Sequence, residues 1–553
     1  MKTEPHDRTV TRTASPAQQF RRGFRQGLYY LTKLQLWLER GLTAAAAHPL
    51  PIFLLSLAVP FLTSFVHAHR APLSHDEYYT AYLSRLPDWH SVWRALNDGA
   101  DVTPPLFVLI TRASVHIFGS GNLGLRLPGL LGGWLMIWCI YRFMRNVVPL
   151  TYACLAALMP VLTIAFERHF CDARPYGLLL GATGIAILCW QRRSAFGLTL
   201  ALGVATAVHY FALTLIGPLA LAEGARWWKQ RKMNWPMLVT LLAPFAVVVA
   251  HWPLIPIAVQ TYGDRIGFRT SFGNVLTFYR LGFGSLLIPL VLALVARELC
   301  RLFGPPSIQE DQSQLAPYPA RGEWALALGL AALPGLTIVV VALTFQIIAT
   351  RYTIAGVLGV SLLAGLSAAW IDQRRCALGF STLLVIALCT IYTGIQYRHT
   401  VLPVTLPNAL QAELRASGET MLVSRVGLYV RLHANVPTDL QAQLWYAYDQ
   451  EAVRSHHEFG TGKTFALENA IFQLSKWAPL HVIAFEEFLA AHPTFLVYGT
   501  PNDGWLLPEL KRRQATITLQ GWYGTRQLYR CDLPKIETQN SRNKEQKYRA
   551  TRN

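Results

Sequence analysis

The 553-residue chain is poor in charge. Only 15% of its residues are charged, and 52% are hydrophobic, whereas soluble globular proteins carry about 25% charged residues. This shortage argues against an ordinary soluble protein. Apolar runs of the ~20 residues that are needed to cross a bilayer recur from Pro49 to Gln396. The sequence therefore predicts a multi-pass α-helical membrane protein.

Cysteine pairs and internal repeats are also lacking. The eight cysteines form no CxxC pair, so neither a zinc site nor a disulfide framework is indicated. The apolar runs follow no fixed period, which argues against a repeat array.

Acidic residues are scarcer than basic ones, 31 against 50, which gives a net charge of +19. Nucleic acid is not the expected partner, because no basic patch is interleaved with the stacking aromatics that single-strand binders use. In a membrane protein, Lys and Arg collect in the cytoplasmic loops. We therefore place the basic segment 1–45 in the cytoplasm, with Phe20–Leu42 as an amphipathic helix on the membrane surface.

Eleven crossings are predicted. With this number, every later basic cluster, from Arg142/Arg145 to Arg374/Arg375, falls on the cytoplasmic side. Pro104–Phe118 contains Arg112 and His116, so we assign it to a helix on the outer surface. The crossings are Pro49–Ala68, Leu123–Tyr141, Val147–Phe166, Pro175–Trp190, Ala195–Val208, Tyr210–Gly224, Trp235–Ile257, Val275–Ala296, Trp324–Gln346, Tyr352–Ile371 and Ala377–Gln396.

The domain organisation follows from this topology. Residues 46–396 form the transmembrane domain, with an outer loop at 69–103 and a flexible Pro-rich cytoplasmic linker at Gly304–Gly322. Residues 397–534 form a small extracytoplasmic α/β domain, and 535–553 form a disordered tail. Within the small domain we predict strands at Met421–Val426, Phe495–Tyr498 and Thr516–Leu519, and helices at Leu480–Ala491 and Trp505–Arg513.

Ionisable residues gather at the outer ends of the predicted spans. Charges at this level are costly unless they are paired or hydrated, so they mark a cavity. Simpler explanations exist for several of them. The charges near 167–174 could form local ion pairs, and the histidine at 209 could be hydrogen-bonded within the helix bundle. The arginine at 351 could reach lipid headgroups, and the aspartate at 76 could cap a loop. The set comprises Asp76, Glu77, Asp101, Glu167, Arg168, His169, Asp172, Arg174, His209 and Arg351.

Six segments, in this order, carry a resemblance to a known family: SHDEYYT, TPPLFVLITRASVHIFG, LGLRLPGLLGG, FERHFCDARPYGLLL, AVHYFALTLIGPLAL and TRYTIAGVLGVSLLAGL. The chain resembles the GT-C glycosyltransferases that use polyprenyl-phosphate-linked sugars. Within that superfamily it is similar to the bacterial branch of protein O-mannosyltransferase relatives and of the lipid A aminoarabinose transferase. The similarity covers Pro49–Gln396.

The resemblance implies roles for individual residues. Asp76 would be the general base toward an acceptor hydroxyl, Glu77 would shape the site or help bind a cation, and Asp172 would be the second acidic residue. The donor phosphate would be bound by Arg351 and Arg174, with His209 beside them. Substrate positioning would fall to His75, Tyr78, Asp101, Thr103 and Glu167.

One departure from the family pattern concerns Thr103-Pro104-Pro105. Relatives often carry His or Lys at the first of these positions, and a neutral Thr supplies neither that charge nor a strong metal ligand. His75 or His209 could compensate. Some relatives use a divalent cation and others do not, and the sequence gives no settled set of metal ligands.

The expected function is transfer of a sugar from a polyprenyl-phosphate-linked donor to a glycolipid, polysaccharide or protein on the extracytoplasmic face of the plasma (inner) membrane. One alternative is a transporter or flippase for lipid-linked sugars. Such a protein would carry its charges near mid-bilayer and show inverted repeats, whereas these charges gather at one end of the spans. A non-catalytic envelope scaffold is a second alternative, and it would require the carboxylates to be dispensable.

Overall fold

The computed structural model describes residues 48–257, 273–303, 320–337, 350–372, 376–397, 404–456, 464–500 and 504–534. The predicted amphipathic segment Phe20–Leu42, most of the linker and the tail 535–553 lie outside the described residues.

The transmembrane domain is built of helices. In chain order they are α1 Pro49–Arg70, α2 His75–Ser84, α3 Trp89–Asn97, α4 Pro105–Phe118, α5 Asn122–Arg145, α6 Leu150–Leu158, α7 Ile164–His169, α8 Tyr176–Gln191, α9 Ala195–Val208, α10 Ile216–Gln230, α11 Trp235–Val239, α12 Ala243–Ala250, α13 Gly273–Phe283, α14 Leu287–Phe303, α15 Arg321–Ala331, α16 Gly356–Ile371 and α17 Cys376–Gln396.

Among the described residues, four helices are long and apolar enough to cross a membrane: Pro49–Arg70, Asn122–Arg145, Val275–Leu302 and Leu378–Gln396. Other predicted spans are helical but interrupted by 3₁₀ turns, as at Met159–Leu162 and Tyr210–Leu215. A proline accounts for the first of these turns, because Pro160 cannot donate the backbone hydrogen bond that would continue an α-helix. The chain is a multi-pass helical membrane protein, and the number of eleven crossings stays a prediction.

Helices α5 and α8 approach each other at glycines. A methyl group at Gly177 would lie 2.0 Å from the carbonyl oxygen of Gly129, and one at Gly132 would lie 2.4 Å from that of Gly177. Small residues allow two membrane helices to pack backbone against backbone. This contact fixes the N-terminal end of α5, which carries Arg126, against the segment that leads into α8 and carries Arg174.

The outer loop 69–103 folds into the short helices α2 and α3. The Ser74–Glu77 capping box begins α2, since the backbone N–H of Ser74 donates to the Glu77 carboxylate at 2.7 Å. Asp88 caps α3 by accepting from the backbone N–H of Ser91, also at 2.7 Å. The capping box places Asp76 in the first turn of α2.

The C-terminal domain is an α/β module, as the sequence predicts. Its six-stranded sheet has the order β3-β2-β1-β4-β6-β5; the first four strands are parallel, and β6 and β5 add an antiparallel edge. Its elements are α18 Asn408–Ser417, β1 Met421–Val423, α19 Val426–Asn435, α20 Thr438–Gln441, β2 Leu444–Tyr448, α21 Gln450–Ser455, α22 Thr464–Ser475, β3 Val482–Ala484, α23 Phe485–Ala491, β4 Thr494–Gly499, α24 Leu506–Arg512, β5 Thr516–Tyr523 and β6 Arg526–Asp532.

Some boundaries in this domain differ from the prediction. The segment predicted as one helix over Leu480–Ala491 begins as strand β3, because Val482 and Ile483 are β-branched and pair with β2. Strands β2 and β6 are not foreseen, since β2 has only five residues and β6 is interrupted by charged and polar residues, among them Arg526, Arg530 and Asp532.

The C-terminal domain shares one hydrophobic core with the outer loop. Tyr78, Leu83 and Leu96 from α2 and α3 are buried in the same cluster as Tyr429 and Leu444 from the domain. The amide of Asn435 in α19 also donates to the hydroxyl of Tyr78 at 3.2 Å. The domain is therefore docked on the loop that carries Asp76.

Candidate functional site

Asp76 lies at the centre of a charged cluster. Its Oδ2 accepts a hydrogen bond from Arg351 Nη1 at 2.7 Å, and its Oδ1 lies 3.0 Å from His75 Nε2. Burial alone would raise the pKa of the Asp76 carboxyl. The hydrogen bond from His75 and the charges of Arg351 and Arg174 outweigh burial and hold that pKa well below its usual range. Asp76 is ionised in this arrangement.

Glu77 has a different environment. Its carboxylate forms a bidentate pair with Arg126 at 2.7 and 2.8 Å and also accepts the backbone N–H groups of Ser74 and Ala173, each at 2.7 Å. Both side chains are almost fully buried. Burial would raise the pKa of Glu77, but these donors lower it. Four donors occupy the carboxylate, so Glu77 ties α2, α5 and the segment before α8 together.

Asp101, Thr103 and Arg174 form a second connected group. Arg174 Nη1 donates to Asp101 Oδ2 at 2.9 Å, and the Thr103 hydroxyl donates to the same oxygen at 2.9 Å. Arg174 Nη1 also lies 3.3 Å from the carbonyl oxygen of Asp76. Its Nε is buried and has no hydrogen-bond acceptor among the described residues. Thr103 therefore orients an acidic side chain, which in turn holds an arginine beside Asp76.

The rings of Tyr176, His169 and His209 form one wall of the site. The centroid of Tyr176 lies 5.1 Å from that of His169 and 5.6 Å from that of His209, and the Arg351 guanidinium is 5.9 Å from the Tyr176 ring. Burial, reinforced by Arg174 and Arg351, lowers the pKa of His209 to about 3. His209 is therefore neutral at physiological pH and can offer a hydrogen bond to a phosphate but no positive charge.

Asp172 lies on the same wall and contacts His169 Nδ1 at 3.2 Å. Partial burial raises its pKa, and the negative charge of Glu77 raises it further, while His169 opposes both effects. The surroundings of Asp172 therefore favour its protonated form, whereas those of Asp76 and Glu77 favour the ionised form.

Two cavities flank the charged cluster. One has Arg351 and His169 beside an apolar lining that includes Phe283, Ile354 and Val357; we call it the Arg351 cavity. The other is lined by Asp101, Thr103, Tyr210 and apolar side chains; we call it the Asp101 cavity.

The described residues do not fit a metal site. In the parts of the chain that the structure covers, no three His, Cys, Asp or Glu side chains converge as metal ligands. Glu77, the acidic side chain that the resemblance offers for a cation, already accepts four hydrogen bonds. The positive charge at the site comes from Arg351 and Arg174.

Most of the predicted site residues lie together, and two do not. Tyr78 is buried against the C-terminal domain, and Glu167 is exposed on α7. The prediction did not include Arg126, which anchors Glu77. Arg126 is an arginine within the apolar run of α5, and an ionisable residue inside a span is itself a signal of a site.

The chain is similar to known proteins in sequence and in structure. Residues 102–252 match the family model described as dolichyl-phosphate-mannose-protein mannosyltransferase. This stretch contains Thr103, Arg126, Asp172 and Arg174. A comparison with curated proteins gave no match.

Two matching crystal structures are of ArnT from Cupriavidus metallidurans. The apo structure has 12% sequence identity and a TM-score of 0.51, over 86% of this chain and 97% of that chain. The structure bound to undecaprenyl phosphate has 13% identity and a TM-score of 0.48, over the same shares. The apo match shows a common fold. With the family match, it confirms the resemblance to GT-C glycosyltransferases.

Proposed function

We propose that this chain is a membrane glycosyltransferase that takes a sugar from a polyprenyl-phosphate-linked donor. The family description names a dolichyl-phosphate-linked sugar, which is a donor of this class. One observation carries the proposal: Arg351 lines an apolar cavity and also contacts Asp76 at 2.7 Å. A phosphate-binding cation and a general base thus meet at one point.

The donor would bind in the Arg351 cavity. Its apolar lining suits a prenyl chain, and Arg351 suits the phosphate, because a guanidinium binds two phosphate oxygens at once. Arg174, whose Nη1 lies 3.3 Å from the Asp76 carbonyl oxygen, adds a second positive charge nearby. Cleavage of the sugar–phosphate bond increases the negative charge on the phosphate, and both arginines stabilise that charge.

The reaction would proceed in one displacement. The acceptor oxygen forms a bond to the anomeric carbon, the bond between that carbon and the phosphate oxygen breaks, and its electron pair leaves on the lipid phosphate. The acceptor proton passes to Asp76. Asp172 would position the sugar or the acceptor, and Glu77 would hold the backbone around Asp76.

Donor binding would activate the base. Arg351 donates a hydrogen bond to one oxygen of Asp76, and its positive charge helps to keep the pKa of Asp76 low. A bound phosphate competes for the same guanidinium, so it withdraws a hydrogen bond and a positive charge from Asp76. The pKa of Asp76 then rises, and its carboxylate becomes a stronger base.

The acceptor would be a glycolipid, a polysaccharide or a protein on the extracytoplasmic face of the plasma membrane. The donor would occupy the Arg351 cavity, and the acceptor would reach the charged cluster through the Asp101 cavity, which lies beside the same cluster. The basic clusters that flank the predicted spans support this orientation.

This account predicts opposite effects of two substitutions on lipid-phosphate binding. Arg351→Gln removes the cation, and a hydrogen bond to a charged group is worth about 1.5–3 kcal/mol, so binding of polyprenyl phosphate should weaken by roughly 10–100-fold. Asp76→Asn removes the competitor for Arg351, so binding should become tighter than in the wild type. Titration calorimetry in nanodiscs measures both changes.

Arg168→Gln is the matched control, since Arg168 is exposed on α7. Unchanged affinity in Arg351→Gln would refute the assignment of the donor cavity. Weaker binding in Asp76→Asn would refute the competition between carboxylate and phosphate.

A further inference from the structure

His75 contacts the oxygen of Asp76 that Arg351 does not contact. The two oxygens of Asp76 have different partners: His75 Nε2 lies 3.0 Å from Oδ1, and Arg351 Nη1 lies 2.7 Å from Oδ2. If Arg351 binds a donor phosphate instead of Asp76, Oδ2 loses its hydrogen-bond partner, whereas Oδ1 keeps its contact with His75.

His75 also contacts the C-terminal domain. A methyl group at Gly427, in the first turn of α19, would lie 3.5 Å from Cγ and 3.6 Å from Cβ of His75. The backbone of α19 therefore lies against the imidazole. Tyr78, one turn along α2, is hydrogen-bonded by Asn435 at the other end of α19. The domain thus contacts α2 at two points.

We propose that His75 is a positioning residue that fixes Asp76 so that Oδ2 takes the acceptor proton, and that the C-terminal domain holds His75 in place. This inference rests on the proposed function. The proton balance is unchanged: the acceptor O–H bond breaks, and the proton moves to Oδ2. His75 keeps its own proton and its hydrogen bond to Oδ1 throughout.

The physical reason is the geometry of proton transfer. A general base must lie within hydrogen-bond reach of the proton that it removes. A carboxylate held at neither oxygen rotates about its last side-chain bond, and a misplacement of 1 Å can cost about 10²-fold in rate. With Arg351 on the phosphate, His75 is the side chain among the described residues that still contacts the Asp76 carboxylate and restrains this rotation.

The test compares substitutions at His75 and Gly427 in the full chain in nanodiscs. His75→Ala should lower kcat on the order of 10²-fold and leave the Km for the donor unchanged, because Arg351 and the cavity stay intact. His75→Gln keeps an N–H donor and should recover most of that loss. Gly427→Leu should lower kcat in the same way, and Gly427→Ala should lower it less, since its methyl group meets the ring at ordinary contact distance.

A double-mutant cycle separates positioning from general damage. In an Asp76→Asn background, His75→Ala should cause no further loss of transfer, and melting temperatures should match those of the parent proteins. Equal kcat in wild type and His75→Ala would overturn the inference. So would a His75→Gln variant as slow as His75→Ala. Transfer at the wild-type rate by Asp76→Asn alone would instead refute the proposed function.

Discussion

At the residue scale, two adjacent carboxylates have opposite surroundings. Asp76 has one partner on each oxygen and lies beside a cavity, whereas Glu77 accepts four hydrogen bonds and is almost fully buried. A carboxylate has about four lone-pair sites, so one that already accepts four hydrogen bonds has none left to accept a proton from a substrate. The pair therefore divides into a base and an anchor, and the two should respond differently to substitution.

Glu77→Gln should destabilise the protein. The change leaves Arg126 buried without its counter-charge, and breaking a buried ion pair costs about 3–5 kcal/mol. A large drop in melting temperature in detergent is expected. Glu487→Gln, at an exposed glutamate of α23, is the matched control and should melt like the wild type. An unchanged melting temperature for Glu77→Gln would contradict the anchoring role.

The pH dependence of stability has a definite sign. The pKa of Glu77 is lower in the folded protein than its ordinary value of 4.5, so the unfolded chain binds the proton more readily. The stabilisation is present above pH 4.5 and is lost as the pH falls through the folded pKa. Wild type should lose this part of its stability on acidification, and Glu77→Gln should not. Melting curves from pH 7 to pH 3 measure the difference.

Much of the charged cluster could be predicted from the sequence, because charges at span ends are rare and their order matches the family pattern. Asp76, Asp101, Arg174 and Arg351 lie in contact as a connected set. The partner of each could not be predicted: the pairing of Glu77 with Arg126 depends on how α2 packs against α5. The hydrogen bond from Thr103 to Asp101 is likewise a tertiary contact.

At the scale of elements, the close contact of α5 and α8 holds the site together. Gly177→Ala should destabilise the protein, because its methyl group would lie 2.0 Å from the Gly129 carbonyl oxygen. Overpacking of this kind costs about 1–3 kcal/mol. Gly217→Ala in α10 is the matched control, since no atom lies within 4 Å of the added methyl group. Thermal melting distinguishes them, and equal melting temperatures would contradict the close packing.

Element boundaries show where sequence reasoning succeeds. Ala195–Val208 has the predicted bounds, since Ser194 caps its start and His209 ends it. Other spans are broken by 3₁₀ turns that hydrophobicity alone does not reveal. In the C-terminal domain, short strands such as β3 are fixed by pairing with their neighbours, which a single sequence does not show.

At the scale of the whole molecule, the C-terminal domain and the outer loop form one core. The orientation of that core in the membrane is a prediction from charge. In intact cells, a membrane-impermeant maleimide should label Trp522→Cys in the C-terminal domain, but it should not label Trp228→Cys beside the basic end of α10. The two side chains are similarly exposed, at 64% and 60%. In permeabilised cells, the maleimide should label both variants. If Trp522→Cys is not labelled in intact cells, the predicted topology is wrong.

The central claim is that Asp76 is the base of a sugar transfer. Its most direct test measures the transfer of radiolabelled sugar from polyprenyl phosphate to envelope acceptors by purified Asp76→Asn. General-base catalysis contributes about 10²–10⁴-fold, so transfer should fall by that factor while the protein stays folded. Asp88→Asn, which keeps a good helix cap, should retain activity. Wild-type transfer by Asp76→Asn would contradict the account, as would movement of the lipid-linked sugar across the membrane without any transfer.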